Sequence, residues 1–88
     1  MPSVTAHPTP NPNSLKFTAE AAPFIDDGLI SVRSPASAGE HPLGALIRVD
    51  GICDVLITPA FVTVSKTESA SWDDLRPLVT SRLEAYLD

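Results

Sequence analysis

The stretch PTPNPNSLKF, Pro8 to Phe17, decides where the first strand of this protein begins. Each proline holds φ near one value and pushes the residue before it toward extended geometry, so Thr9 and Asn11 have little freedom. The run reads as a stiff lead-in. The side chains of Asn11 and Asn13 are suited to hydrogen-bond backbone groups two residues on, which fixes the turn into Leu15. Beyond it, SLKFTA (Ser14 to Ala19) sets Leu15, Phe17 and Ala19 against Lys16 and Thr18, the period-2 pattern of a strand with one apolar face.

Further along, EAAPFIDDG carries Pro23 and ends in Asp27-Gly28, a turn signal that suits a wide hairpin to a second strand, Leu29 to Ser34. Ile30 and Val32 share one side of that strand, which stops at Pro35. The period then changes. Leu43, Leu46 and Ile47 recur at three and four residues after Pro42, predicting a short helix closed by Gly51, with Gly44 permitting close approach to a sheet. Val55 to Thr58 and Phe61 to Lys66 are β-branched runs separated by Pro59-Ala60, a tight antiparallel hairpin with Val62 and Val64 facing inward. Ser71 followed by Asp74 resembles a capping box, and Trp72, Leu75, Val79, Leu83 and Tyr86 form one stripe of a second helix, with Leu78 and Leu87 beside it. Pro77 lies inside that helix and removes one backbone bond.

The resulting order, β-β-α-β-β-α, predicts an α+β domain over residues 1–88: a single small sheet of about four mainly antiparallel strands with two helices packed on one face. Its 88 residues, 43% hydrophobic, support one two-layer core. Eleven acidic against six basic residues, net charge −5, leave no basic stripe for a phosphate backbone, so nucleic acid is not an expected partner. No apolar run is long enough to span a membrane. The N-terminal MPSVTAHPTP has neither a secretory nor an organelle-import pattern, and the single Cys53 fits a reducing cytosol.

Cys53, His7 and His41 are the residues from which a nucleophile and base would be drawn, but their spacing carries no motif. With one cysteine and only the adjacent pair Glu40-His41 beside it, a metal centre held by one chain is not expected. Asp26-Asp27 reads as a turn, Asp73-Asp74 as favourable charge at a helix start, and Trp72 as core. The remaining resource is a sheet edge able to accept a partner strand, offered either by the strand after PNPN or by the strand ending at Lys66.

TPNPNSLKF (Thr9 to Phe17), HPLGALIRVDGI (His41 to Ile52), FVTVSK (Phe61 to Lys66) and WDDLRPLV (Trp72 to Val79) together resemble the N-terminal domain of Nfu/NifU-type iron-sulfur cluster scaffold proteins. The resemblance implies an α+β domain that, in full-length members, precedes a module whose CxxC pair binds the cluster. This chain ends where that module would begin, and Cys53 does not occupy a family ligand position. What it implies is therefore a stand-alone, non-enzymatic module with no cofactor of its own, contacting an iron-sulfur cluster carrier or client protein. Asn11, Asn13, Lys16 and Lys66 are the residues placed in that contact. The alternatives are a cysteine-dependent enzyme or redox switch centred on Cys53, and iron binding by a dimer.

Overall fold

In the computed structural model, which describes residues 3–20, 23–34, 39 and 41–87, the proline-rich stretch is the loop of a hairpin and not a lead-in. Strand β1 (Val4–Pro8) pairs antiparallel with β2 (Ser14–Ala19), from Val4 opposite Ala19 to Pro8 opposite Leu15. Asn11 accepts the N–H of Ser14 on its carbonyl at 3.0 Å, and the Thr9 hydroxyl reaches the Ser14 carbonyl at 3.1 Å, closing the loop. β1 is short and carries small side chains, so its alternation is weak. Its Pro8 is tolerated because β1 is an edge strand, where a missing N–H costs no ladder bond.

The sheet therefore has five strands, not four. β3 (Ile30–Val32), β4 (Ile52–Ile57) and β5 (Phe61–Lys66) complete it in the order β1-β2-β5-β4-β3, with every pairing antiparallel. β2 is flanked by β1 and β5, so no site is left for β3 beside it, and the expected wide hairpin does not form. Instead the chain crosses to the far edge, anchored by the buried Phe24, whose N–H donates to the Pro59 carbonyl at 3.0 Å. β3 keeps only three of the six expected residues, and Leu29 stands exposed. Pro35, the expected stop of this strand, lies outside the described residues. Both strands expected to offer an edge, β2 and β5, are interior; the edges are β1 and β3.

Cross-strand register explains the core. Phe17, Val62, Ile57 and Ile30 form one row across the sheet, and Leu15, Val64, Val55 and Val32 the next. Val62 and Val64 are fully buried, as expected from their pattern. Each such side chain contributes roughly 1.5–3 kcal/mol on burial. Two helices close this face: α1 (Trp72–Leu87), through Leu75, Val79 and Leu83, and a 3-10 helix (Pro42–Arg48), through Leu43, Leu46 and Ile47. The second helix is tighter than the pattern suggests, with Gly44 N–H donating to the His41 carbonyl at 2.8 Å and Val49 N–H to the Leu46 carbonyl at 3.0 Å. Leu43 and Leu46, three apart, eclipse in that geometry and both point to the core.

Helix α1 starts where Ser71 accepts the N–H of Asp73 on its hydroxyl at 3.2 Å, a simple cap and not the expected capping box, since Asp74 bonds Ser71 only through its backbone N–H. Trp72 packs edge-on against Phe17, with ring centroids 6.5 Å apart, while Leu78 is exposed. Between the 3-10 helix and β4 the chain turns at Gly51, whose φ is +96°, and a Cβ there would meet the Ala70 Cβ at 2.8 Å. Gly51→Ala combines backbone strain with that overlap, so it should cost about 1–3 kcal/mol. The expected reading is a lower urea midpoint at unchanged slope.

Candidate interaction surface

Because consecutive strand residues alternate between faces, burying Leu15, Phe17, Val62 and Val64 puts Lys16, Thr18, Thr63 and Phe61 on the opposite side. Neither helix covers that side. Its central row runs Ser31, Leu56, Thr63, Lys16, His7 across all five strands, and Thr5, Thr18 and Phe61 form the row beside it. The Lys16 ammonium sits 4.6 Å from the centre of the Phe61 ring, a cation–π contact that holds a positive charge above an apolar patch. His7 Nε2 and Thr18 Oγ1 are hydrogen-bonded at 2.8 Å. The surface is rich in hydroxyls and carries a shallow cavity bordered by Thr5, His7 and Thr18.

The other three expected contact residues lie at one end of the sheet and are engaged in building it. Asn11 Oδ1 accepts the N–H of Asn13 at 2.9 Å, the expected local turn bond. Asn13 holds Lys66 twice, its carbonyl accepting the backbone N–H at 2.8 Å and its Oδ1 the ammonium at 3.0 Å. Trp72 Nε1 donates to the Pro12 carbonyl at 3.2 Å, so the turn, the end of β5 and the start of α1 form one unit. Lys16 is not part of it. The structure thus brings Asn11, Asn13 and Lys66 together and leaves Lys16 on the open face.

Cys53 occupies a β-bulge: Ile52 pairs with Lys66 and Asp54 with Ser65, leaving Cys53 as the extra residue. It is exposed, and its thiol lies 3.5 Å from the Ser65 carbonyl. Neither histidine is bonded to it. His7 is on β1, and His41 caps the 3-10 helix on the covered side, its Nδ1 accepting Leu43 N–H at 3.1 Å. That acceptor role puts the ring proton on Nε2, which donates to the Tyr86 oxygen at 3.0 Å, while the Tyr86 hydroxyl donates to the Phe24 carbonyl at 2.8 Å. Burial lowers the pKa of His41. Asp54 Oδ1 is enclosed, with Arg33 Nε 4.0 Å away. Among the described residues no three His, Cys, Asp or Glu side chains converge as metal ligands. Glu40, the expected neighbour of His41, is outside them. Sequence reasoning missed the Tyr86–His41–Phe24 chain, since its members lie 45 and 62 residues apart and Phe24 falls in a loop.

A five-stranded sheet with one face packed and the other bare defines a small open-faced α+β domain. Residues 4–88 match the family described as scaffold protein Nfu/NifU, N terminal, and the chain belongs to that family. It is 39% identical over 71 residues to the NFU1 iron-sulfur cluster scaffold homolog, mitochondrial, of Homo sapiens, covering 78% of this chain and 28% of that protein. Against NifU-like protein 5, mitochondrial, of Arabidopsis thaliana it is 37% identical over 70 residues, 78% of this chain and 25% of the other. The chain thus spans about a quarter of the length of these curated relatives. Its fold is similar to the solution structure of a NifU-like protein from Saccharomyces cerevisiae, with a TM-score of 0.77 at 20% identity over 93% of this chain and 75% of that one. The crystal structure of SAV1430 from Staphylococcus aureus also shares it, with a TM-score of 0.67 at 20% identity over 98% and 99% of the two chains.

Two outcomes follow from the bonds above. Asn11→Ala removes the acceptor of the turn bond and Asn13→Ala the acceptor of the Lys66 ammonium, and each should cost about 0.5–1.5 kcal/mol in urea unfolding. In the native state His41 binds a proton less readily than in the unfolded chain, so the stability it supports is present above its ordinary value of 6.5 and is lost as pH falls through that value. The melting temperature of the wild type should therefore drop more steeply on acidification from about pH 7 to about pH 5 than that of His41→Asn, which keeps a cap but no titrating ring.

Proposed function

We propose that this domain is a non-enzymatic interaction module of iron-sulfur cluster assembly or delivery, docking a cluster carrier or client protein on the open face of its sheet. The observation that carries the surface is Lys16 held over Phe61 in the middle of a face that no helix covers. A half-buried aromatic with a cation beside it suits the core of a protein interface, where aromatic residues supply contact area and a charge selects the partner. Asn11, Asn13 and Lys66 contribute by holding the adjoining end of the sheet in shape, so their part in binding is indirect. The family supplies the cellular context. Within residues 1–88 there is one cysteine, so a cluster held by this domain would need ligands from another chain or module. The single cysteine also favours a reducing compartment such as the cytosol.

The test is capture from the native host with tagged wild type, Lys16→Glu and Asn13→Ala, followed by mass spectrometry. Cluster-assembly proteins should be enriched by the wild type and by Asn13→Ala, and lost with Lys16→Glu. Their absence from the wild-type eluate would overturn the role in cluster assembly, and their retention by Lys16→Glu would overturn the assignment of the open face.

A further inference from the structure

On the helix-covered side, opposite the open face, a mostly apolar crevice of about 250 Å³ lies between the 3-10 helix and the last turns of α1. Pro42 and Ala45 form one wall over the buried Leu43 and Leu46, Ala85 and Tyr86 form the other, and Arg82 stands at the mouth. Three observations make it more than a surface irregularity. Its walls are fixed before anything binds, since the Tyr86 hydroxyl is held by both Phe24 and His41, and His41 also caps the 3-10 helix. Its polar feature is a guanidinium that pairs with no carboxylate among the described residues, in a chain whose net charge is −5. One turn back along the same ridge of α1, four residues before Arg82, Leu78 is exposed and extends the apolar surface past the mouth.

We propose that this crevice is a docking site for a segment of a partner protein in which an apolar side chain is flanked by a carboxylate. The side chain fills the slot between Ala45 and Tyr86, and the neighbouring Asp or Glu meets Arg82, which presents a planar donor fork suited to a carboxylate. Charge decides the choice of occupant. A basic segment would face Arg82 directly, and a purely apolar one would leave the guanidinium over greasy surface without a counter-ion. This site uses no residue of the open face and does not depend on the cluster-assembly reading.

The probe is a capped dipeptide, glutamyl-leucine amide, titrated into the nitrogen-15-labelled domain, with glutaminyl-leucine amide as its neutral counterpart. Saturable shifts are expected at Ala45, Leu46, Ala85 and Tyr86, with a dissociation constant on the order of 1 mM, the range for so small a ligand. The neutral peptide should bind at least about threefold more weakly, and Arg82→Gln should erase the difference between the two. Ala85→Trp, which fills the slot at an exposed position, should abolish the shifts of both. Three results would overturn the proposal. They are no saturable shift with the acidic peptide, equal binding of the two peptides to the wild type, and the same resonances moving when only the protein concentration is raised, which would assign the crevice to a second copy.

Discussion

Every feature of this molecule depends on one face of its sheet being dry. Five antiparallel strands place Phe17, Val62, Ile57 and their neighbours in register on that face, and both helices spend their apolar side chains covering it. A slip of one residue in β2 or β5 would drive Lys16 or Thr63 into the core and turn Phe17 or Val62 to water. The register is thus held by burial, and its by-product is the opposite face, where the residues excluded from the core collect as Lys16, Phe61 and a field of hydroxyls. The candidate interaction surface is a consequence of how the core is built.

Two polar devices hold the layers at their ends. At one end, Asn13 grips Lys66 by backbone and side chain while Trp72 reaches the Pro12 carbonyl, so the β1–β2 loop, β5 and α1 cannot move independently. At the other, Tyr86 links the end of α1 to the loop at Phe24 and to His41 at the head of the 3-10 helix. Half-buried polar groups of this kind are favourable only while each finds its partner. Here the chain His41 to Tyr86 to Phe24 satisfies donor and acceptor in turn and fixes the Tyr86 ring, while burial lowers the pKa of the imidazole.

Membership of the Nfu/NifU N-terminal family joins this architecture to iron-sulfur cluster scaffold proteins, of which the matched region forms about a quarter. A domain of this shape presents two chemically distinct surfaces on opposite sides. The sheet face is broad and hydroxylated around Lys16; the helix side offers a narrow apolar slot with Arg82 at its mouth. If both proposals hold, the sheet face would select a partner by area and the slot by a single anchoring residue.

Much of this was legible in the residues themselves. Alternation in Ser14 to Ala19 and Phe61 to Lys66, the three-and-four spacing from Trp72 to Leu87, and the proline-rich signature before Leu15 carried the strands, the helix, the inward valines and the family, because local periodicity reports directly which side of an element meets the core. Tertiary structure alone decided the rest. Val4 to Pro8 is a strand only because β2 offers it an edge, Leu29 to Ser34 shortens because it lies at the far edge, and the two strands taken for edges became the middle. Asn11, Asn13 and Lys66, marked as contact residues, were drawn into the fold by partners up to 53 residues away, while Lys16 was left free to face outward. Pairing order and long-range hydrogen bonds depend on which chain segments meet in space, and no local pattern contains that information.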